Sequence, residues 1–425
     1  MKISRLISIP RFGLPYTAGD FAAALLALGR PTPPPDAFEL LGNRAKFWTR
    51  SGRQALYLLL SALDLEPGSG VALPLFTDPS LAQAIAAAGH NPVYIDIDPR
   101  YLTMDPQSLG AARGRFSAVL IVHLFGQMAD VPALLAEAGG VPVIEDTAHA
   151  PLSFLDGKMA GGFGCASFYS FASTKYWPAG GGGLAVVRDP DLAARVALLV
   201  AELDPPSPIL ESRSLLLQAA KSAVFSRPLY GFLGRPARRW VERWALLEPS
   251  LDALAIPRPH AAAARRQAAR FAARVERQRA NSLRLLARLS DAEDIVLPRE
   301  RPGARYNYHI FPVLLRDSRE RDAVRAAMWE HFVDTSALYS EAIEKCRSLG
   351  YRGGCPMSES VAARLITLPN HAALSAAEID AVADAFRASL RTVRELAPAG
   401  QADDLPCPAS LPYSCEDRVP PATGA

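Results

Sequence analysis

The sequence predicts an α/β protein built around a largely parallel sheet. From Ser51 to Asp189, short apolar segments alternate with segments whose apolar residues recur at helical spacing. The strand candidates are almost continuously apolar, which is typical of parallel strands that helices cover on both faces. The chain has 425 residues, of which 49% are hydrophobic and 21% are charged, so its composition is that of a globular protein. Its length allows about three domains or fewer.

The predicted elements follow one another in a regular order. A helix is predicted over SGRQALYLLLSALDL, a strand over VALPLF, a helix over SLAQAIAAAG and a strand over NPVYIDID. Next come the strand SAVLIVHLFG, the helix DVPALLAEAGG and the strands VPVIEDTA, CASFYSF and GGLAVVRD. Residues that follow such strands are candidates for function, because open α/β folds bind ligands at the carboxyl edge of the sheet.

The rest of the chain departs from this rhythm. After Leu203, prolines, aromatic residues and arginines are mixed, and an arginine-rich helix is then predicted from about His260 to Leu289. A strand over RYNYHIFPVLLRD and helices over RERDAVRAAMWEHF and SAAEIDAVADAFRASLRTVREL indicate a smaller α/β domain. The predicted organisation is therefore an N-terminal segment (1–47), a large domain (48–255) with an insertion at about 203–255, a long helix with the small domain (256–397), and a disordered tail (398–425).

Charge and cysteine content narrow the classes of function. The net charge of +3 is too small to indicate a nucleic-acid-binding protein. The five cysteines lack the paired spacing of a zinc site, so we expect no disulfide, no metal and a reducing, cytoplasmic location. The first residues are interrupted by Arg5, Pro10, Arg11 and Pro15, unlike a secretory signal. No uncharged apolar run has the length that a membrane span needs.

The residues that could carry chemistry follow two neighbouring strand candidates. The strand candidate VPVIEDTA contains Asp146, and His149 follows it directly. The strand candidate CASFYSF contains Ser170, and Lys175 follows it, shortly before the glycine run 180–183. An anion or phosphate site is suited by hydroxyl groups, a lysine and glycines, whose backbone can approach a ligand closely. The residues do not have the spacing of a Walker motif. Taken singly, Asp146 is more typical of a turn or helix cap, and Lys175 of a solvated surface lysine.

Six segments together resemble the DegT-type family of pyridoxal-phosphate-dependent sugar aminotransferases, which have the fold-type-I architecture. They occur in the family's order between about Trp48 and Arg391: SGRQAL, LPLFTDPSLAQAIAAAGHNPVYIDID, VHLFGQ, IEDTAHA, SFASTK with its GGGG, and ESVAARLITLPNHAALS. The resemblance implies a mostly parallel seven-stranded sheet, a smaller C-terminal α/β domain and pyridoxal 5'-phosphate as cofactor. It also implies that the protein transfers an amino group from an amino acid, which we expect to be glutamate, to a nucleotide-linked keto-sugar. This reaction would serve amino-sugar or surface-polysaccharide biosynthesis. The resemblance further implies a homodimer with its active site at the interface.

The resemblance also assigns roles to individual residues. Lys175 would form a Schiff base with the cofactor aldehyde and then act as acid and base. Asp146 would face the pyridine nitrogen and keep it protonated, so that the ring can accept electrons. His149 stands where the family usually has glutamine, near the phenolic oxygen or the ring face, and it can donate the same hydrogen bond. Ser170 would hold the phosphate.

Several positions around the predicted cofactor site depart from the family pattern. Gly52 and Arg53, at the turn into a helix, would give backbone N–H groups to the phosphate, but Arg53 replaces the usual threonine. Asp78 stands where the family often has an aromatic ring over the cofactor, which leaves Phe76 as the nearest candidate. The segment AIPRPH retains Arg258 but lacks the asparagine through which the neighbouring subunit touches the phosphate.

Other functions stay open at this point. A sugar dehydratase of the same fold works without the anchoring lysine, so the presence of Lys175 argues against it. A non-catalytic relative that binds cofactor or sugar, with a role in regulation or assembly, is the main alternative because of the departures above. A DNA-binding regulator is disfavoured, since no separate helix-turn-helix domain is evident.

The insertion interleaves aromatic residues with arginines between residues 225 and 244. Such a segment can make a weak contact with a membrane surface, attracted by anionic head groups and anchored by its rings. It can also cover a dimer partner or form a lid. We favour these structural roles, because the sequence does not place the arginines on one face.

Overall fold

A computed structural model describes residues 8–35, 38–226, 229–234, 251 and 253–396. The strands are β1 Ala45–Thr49, β2 Gly70–Pro74, β3 Asn91–Ile95, β4 Ile97–Asp98, β5 Thr103–Met104, β6 Ala118–Val122, β7 Val143–Asp146, β8 Phe154–Leu155, β9 Lys158–Met159, β10 Ala166–Ser170, β11 Gly183–Val187, β12 Ala304–Arg305, β13 Phe311–Leu314 and β14 Leu365–Leu368. The α-helices are α1 Ala18–Leu26, α2 Gly52–Ala62, α3 Ser80–Ala87, α4 Pro106–Ala111, α5 Val131–Ala138, α6 Pro190–Ala201, α7 Pro208–Val224, α8 Arg258–Leu289, α9 Ser318–Glu330, α10 Ala342–Ser348, α11 Pro356–Arg364 and α12 Ala376–Leu396.

The central sheet has seven strands in the order β1-β11-β10-β7-β6-β2-β3. The five strands from β10 to β3 are parallel, whereas β11 runs antiparallel to both of its neighbours. The α/β class and the mostly parallel seven-stranded sheet are therefore confirmed. Parallel strands in this order bring the ends of β2, β6, β7 and β10 to one edge, which is the edge where the chemistry was expected.

Both faces of this sheet are covered, as the apolar strands require. All five residues of β6 are buried, and their side chains alternate between two cores. Leu120 packs in one core with Leu59 of α2, whereas Val119 packs in the other with Leu134 of α5. Burial of each such side chain contributes about 1.5–3 kcal/mol, so a slip of the register by one residue would be strongly unfavourable.

The strands of the structure differ in two places from those predicted from the sequence. The strand β1 precedes the segment at which the α/β rhythm was expected to start, and it pairs with β11 at an edge of the sheet. Its five residues are too few for alternation to be recognised. The single strand expected over residues 305–317 is split into β12 and β13, because the chain turns between them and Tyr308 adopts a φ of 53°.

The C-terminal part forms a smaller unit around the antiparallel pair β13 and β14. Its core joins residues of this pair to the helices α8, α9 and α12. No helix in the described ranges has the length and apolarity needed to cross a membrane. The predicted disordered tail, 398–425, and most of the basic and aromatic segment 225–244 lie outside the described residues.

Candidate active site

A cavity opens at the carboxyl edge of the sheet, among the ends of β2, β6, β7 and β10. It is lined by Thr77, Asp78, Val122, His123, Leu124, Asp146, Ala148, His149, Lys175 and Tyr339. Three residues predicted from the sequence, Asp146, His149 and Lys175, therefore face one space although they come from the ends of two strands, β7 and β10. Tyr339 reaches the same cavity from the C-terminal part of the chain, so both parts of the protein contribute to this site.

The side chains of Lys175 and His149 are in direct contact. Nζ of Lys175 lies 2.8 Å from Nε2 of His149, and Nδ1 of His149 accepts a hydrogen bond from the backbone N–H of Phe125 at 3.2 Å. Burial, together with the charges of Lys175 and His309, holds the pKa of His149 well below its ordinary value, so the ring is neutral. A neutral ring that accepts at Nδ1 carries its proton on Nε2 and donates it toward Lys175.

Asp146 is a buried carboxylate at the end of β7. Its Oδ1 atom accepts a hydrogen bond from the backbone N–H of Ala148 at 2.8 Å, as a turn-capping aspartate does. Burial raises its pKa to about 6, although the N–H of Ala148 and the charge of Lys175 oppose this shift. The positive charges and N–H groups around this carboxylate therefore do not compensate for its burial. A protonated ring nitrogen in the cavity would stabilise its charged form.

The preceding residue, Glu145, has a different environment. Its carboxylate accepts backbone hydrogen bonds from Gly161 at 2.8 Å and from Phe163 and Gly164 at 2.6 Å each. Nε2 of His123 donates to it at 3.0 Å. Burial alone would raise the pKa of Glu145, but the hydrogen bond and charge of His123 and the backbone N–H groups outweigh burial and lower it. Glu145 and His123 therefore hold loops in place.

Gly52 and Ser170 meet where helix α2 begins beside the end of β10. A Cβ atom at Gly52 would lie 3.2 Å from Cβ of Ser170, which is closer than most such contacts, so glycine permits this approach. Ser51 caps α2 and accepts the N–H of Gln54, and Gly52 and Arg53 form the first turn, where backbone N–H groups point out of the start of a helix. Together with the Ser170 hydroxyl they form a corner suited to an anion.

The predicted residue Phe76 lies behind the cavity wall. It is fully buried, and its ring meets the rings of Phe125 and Tyr339 at centroid distances of 6.1 and 5.8 Å. Among these residues Tyr339 lines the cavity, as does Asp78, which stands at the position of the missing aromatic ring. Tyr339 is thus an aromatic side chain at the site that sequence reasoning missed, because it is distant in the chain and stands in no motif.

His309 is a second residue that the sequence reasoning missed. It follows β12 from the C-terminal part, and its ring lies 4.7 Å from the ring of His149 and 5.1 Å from that of Tyr176. Burial, then the charges of Lys175 and Arg274, lower its pKa to about 3. Its Nε2 atom is buried and makes no hydrogen bond to the part of the chain that the structure describes. Within the sequence, this histidine was only one residue of a strand candidate.

These residues fit pyridoxal phosphate on chemical grounds. Lys175 offers an amine for the aldehyde, Asp146 a carboxylate for the ring nitrogen, and the corner of Gly52 and Ser170 a place for the phosphate. Glycine allows a close approach there, because a Cβ would lie 3.2 Å from Cβ of Ser170. The raised pKa of Asp146 also fits this cofactor, because a protonated ring nitrogen would stabilise the charged carboxylate.

Comparison with known proteins gives one consistent family. The sequence pattern of the DegT/DnrJ/EryC1/StrS aminotransferase family matches residues 36–202 and 255–387. A dTDP-4-dehydro-2,3,6-trideoxy-D-glucose 4-aminotransferase from Saccharopolyspora spinosa is 31% identical over 345 residues, which are 79% of this chain and 82% of that protein. A UDP-N-acetyl-3-dehydro-alpha-D-glucosamine 3-aminotransferase from Acidithiobacillus ferrooxidans is 29% identical and covers 80% and 83%.

A solved structure supports the same assignment. The aminotransferase TlmJ from Streptoalloteichus hindustanus superposes with a TM-score of 0.73 at 25% identity, covering 91% of this chain and all of that one (100%). The family pattern spans well over half of the sequence, in two blocks that together contain the cavity-lining residues. The chain therefore belongs to the DegT/DnrJ/EryC1/StrS aminotransferase family and is a pyridoxal-phosphate-dependent aminotransferase of fold type I.

Proposed function

We propose that this enzyme transfers an amino group from an amino acid, with glutamate as the first candidate, to a keto-sugar linked to a nucleotide. The relatives described above act on dTDP- and UDP-linked keto-sugars, one at carbon 4 and the other at carbon 3. The observation that carries the proposal is that Lys175, His149 and Asp146 face one cavity, with Nζ of Lys175 2.8 Å from His149. Biosynthesis of an amino sugar or a surface polysaccharide is the pathway class that this reaction would serve.

Lys175 is proposed as the catalytic base and acid. Pyridoxal phosphate, when bound, supplies a carbonyl that captures amines and a ring that accepts an electron pair. Lys175 would hold this carbonyl, and its Nζ atom would take up and return a proton during amino transfer. His149, whose Nε2 atom lies 2.8 Å from Nζ while Nδ1 is held by the N–H of Phe125, would orient the amine of Lys175.

Asp146 and the corner at Gly52 are proposed to hold the two polar ends of the cofactor. The Asp146 carboxylate, fixed by the N–H of Ala148, would keep a proton on the ring nitrogen. The Ser170 hydroxyl and the N–H groups of Gly52 and Arg53 would bind the phosphate, aided by the positive end of helix α2. Phe76 would contribute indirectly, by supporting Tyr339 at the cavity wall.

The neighbouring subunit is a further part of the proposal. We expect a homodimer with the active site at its interface, as the sequence resemblance implies, in a cytoplasmic protein. The segment before α8 lacks the asparagine expected to touch the phosphate across that interface, and Arg258 instead binds the buried carboxylate of Glu211, with N–O distances of 2.6 to 3.0 Å. Arg258 is therefore not proposed as a phosphate ligand.

Absorbance spectroscopy tests the cofactor and donor assignments. The purified enzyme should have an absorption band in the visible region that borohydride abolishes and that Lys175→Ala lacks. Glutamate should bleach this band, whereas a non-catalytic binding protein would keep it. Glutamine and aspartate, added in place of glutamate, identify the donor. A Lys175→Ala protein that still shows the band would contradict the proposed role of Lys175.

A panel of nucleotide-linked sugars tests the acceptor. The enzyme is converted to its pyridoxamine form with amino donor, freed of excess donor, and mixed with 3-keto and 4-keto sugars on dTDP, UDP and GDP. The proposal expects at least one of them to restore the original spectrum. If simple 2-keto acids restore it while no nucleotide-linked sugar does, the enzyme remains an aminotransferase and the sugar assignment is wrong.

A further inference from the structure

Asp78 is a second acidic residue at the cavity, and its role in the fold uses only one of its two carboxylate oxygens. Its Oδ1 atom accepts the backbone N–H of Ser80 at 2.9 Å, where helix α3 begins. Among the described residues, this carboxylate makes no other hydrogen bond and no ion pair. The second oxygen of Asp78 is therefore available to a ligand.

The carboxylate of Asp78 lies between the reacting groups and the C-terminal part of the chain. Burial is the main cause that raises the pKa of Asp146, and the charge of Asp78 adds to it. Burial likewise raises the pKa of Cys346 in α10 to about 11, with a further contribution from the charge of Asp78. Because the effect of a charge decreases with distance, Asp78 is close both to Asp146 and to α10, which begins three residues after Tyr339.

Tyr339 presents an aromatic ring to the same cavity from an unusual backbone conformation. Its φ is 64°, which bulky residues rarely adopt and which costs energy. The rings of Phe76 and Phe125, at centroid distances of 5.8 and 6.1 Å, pack against it. Such conformations are concentrated at active sites, where the surrounding structure maintains them. A carboxylate and an aromatic ring thus line one cavity, each from a different part of the protein.

The cofactor leaves Asp78 without a partner. In the proposed arrangement, Asp146 faces the ring nitrogen, and the corner of Gly52 and Ser170 holds the phosphate. The phenolic oxygen of the cofactor is an acceptor when it is ionised, and so is a carboxylate, so Asp78 is not suited to bind it. Asp78 is therefore free for a substrate.

Of the two substrates, the sugar matches Asp78. Amino-acid donors and nucleotides carry carboxylates and phosphates, which the negative charge of Asp78 repels. A keto-sugar ring is neutral, and its hydroxyl groups can donate charge-assisted hydrogen bonds to a carboxylate. The keto carbon has to reach the site of Lys175, which lines the same cavity, so the hydroxyl groups beside that carbon enter the cavity with it.

We propose that Asp78 determines which sugars this enzyme accepts. Its carboxylate binds a hydroxyl group beside the keto carbon, so the enzyme selects sugars that retain this group over sugars in which hydrogen replaces it. A site that hydrogen-bonds a hydroxyl group discriminates strongly against an analogue that lacks it, because a polar group is then left unpaired. This inference rests on the proposed keto-sugar acceptor and adds the residue and the chemical feature that it recognises.

Single-turnover return of the original spectrum, starting from the pyridoxamine form, tests the proposal. The probes are dTDP-linked 4-keto-6-deoxyglucose with its 3-deoxy analogue, and UDP-linked 3-ketoglucose with its 4-deoxy analogue. The test variant is Asp78→Asn, because asparagine can still cap α3 but offers an N–H donor in place of the second oxygen. The matched control is Asp189→Asn, since Asp189 caps α6 through the N–H of Leu192 at 2.8 Å and lies outside the cavity.

With at least one pair, the wild type should react about tenfold or more faster with the hydroxylated sugar than with the deoxy sugar. Asp78→Asn should lose about tenfold or more with the hydroxylated sugar, but less than about threefold with the deoxy sugar and in the bleaching by glutamate. Asp189→Asn should behave like the wild type.

The contrary outcomes separate this inference from the proposed function. Wild-type enzyme that reacts with no sugar of either pair contradicts the proposed function and this inference together. A reactive wild type without the preference, or an Asp78→Asn protein that keeps it, overturns this inference alone. An equal loss in all three reactions of Asp78→Asn also overturns it, because Asp78 would then act only as a helix cap.

Discussion

Glu145 and Asp146 are consecutive buried carboxylates at the end of β7, and their pKa values are shifted in opposite directions. Glu145 is surrounded by donors, the N–H groups of Gly161, Phe163 and Gly164 and the ring of His123. Asp146 receives one backbone hydrogen bond and faces the cavity. The alternation of a β-strand sends the two side chains to opposite sides, so one carboxylate stabilises the fold while the other is left for a ligand.

Asp146→Asn should stabilise the enzyme without cofactor while it abolishes most of the activity. Burial raises the pKa of Asp146 from 3.8 to about 6, so the folded state binds more protons than the unfolded state between these values. Wild-type stability therefore falls as the pH rises from about 4 to about 6, by up to about 3 kcal/mol, and asparagine avoids this cost. Urea unfolding of the cofactor-free proteins at pH 4 and pH 7.5 measures the difference.

Bound cofactor should make the wild type more stable than Asp146→Asn. Pyridoxal phosphate is expected to stabilise the wild type more than Asp146→Asn, because the carboxylate then gains its positive partner. Asp191→Asn, an exposed aspartate on α6, is the matched control and should change stability by less than about 0.5 kcal/mol at either pH. Equal stability of Asp146→Asn and wild type at pH 7.5 would contradict the raised pKa.

Glu145→Gln should destabilise the fold by about 3 kcal/mol or more, because one oxygen that accepts buried N–H groups becomes an amide donor. The pKa of Glu145 is lowered in the folded state, so its contribution is present above its ordinary pKa and is lost as the pH falls through the folded value. The deficit of the variant should therefore shrink in acid. Thermal unfolding at neutral pH and at several pH values below 4.5, the ordinary pKa of a glutamate, measures it. Glu137→Gln, in an exposed pair with Arg113, should cost less than about 1 kcal/mol.

His149→Gln should retain most of the activity, and His149→Leu should not. A glutamine can accept the N–H of Phe125 through its oxygen and donate to Nζ of Lys175 through its nitrogen, as the imidazole does. We expect kcat/KM for the amino donor to fall less than about tenfold in His149→Gln and about 100-fold or more in His149→Leu. Single-turnover bleaching of the cofactor band separates this loss from weaker binding of the acceptor. Similar rates in the two variants would show that the hydrogen bond to Lys175 is unimportant.

The sequence predicts those parts of the site that strand ends and local motifs determine. Asp146, His149 and Lys175 each follow an apolar strand, and parallel pairing brings these strand ends together. Tyr339 at the cavity and His309 beside the ring of His149 could not be predicted, since the packing of the C-terminal part brings them there and leaves no local pattern. Likewise, helical spacing identifies α8 within two residues of its start, but it cannot show which side of α7 meets the protein.

His309→Phe should lower the activity without loss of stability. Phenylalanine keeps the ring packing against His149 and Tyr176 but removes the nitrogen atoms, and Nε2 makes no hydrogen bond within the described residues. Replacing such a buried polar group by an apolar one of similar shape is neutral or stabilises by about 1–3 kcal/mol. If Nε2 serves a polar atom of the substrate or cofactor beside Lys175, kcat/KM should fall by about tenfold or more, because a buried partner is lost.

Stability measurements and a packing control distinguish this role from a structural one. The pKa of His309 is lowered to about 3, mainly by burial, so between pH 5 and pH 9 the wild type should show no ionisation of this ring, and the loss in His309→Phe should be the same at every pH in that range. His309→Ala serves as the packing control, which should destabilise the fold by about 2–3 kcal/mol through the cavity it leaves. Full activity in His309→Phe, together with unchanged stability, would show that the ring acts only by packing and that the nitrogen has no part in the reaction.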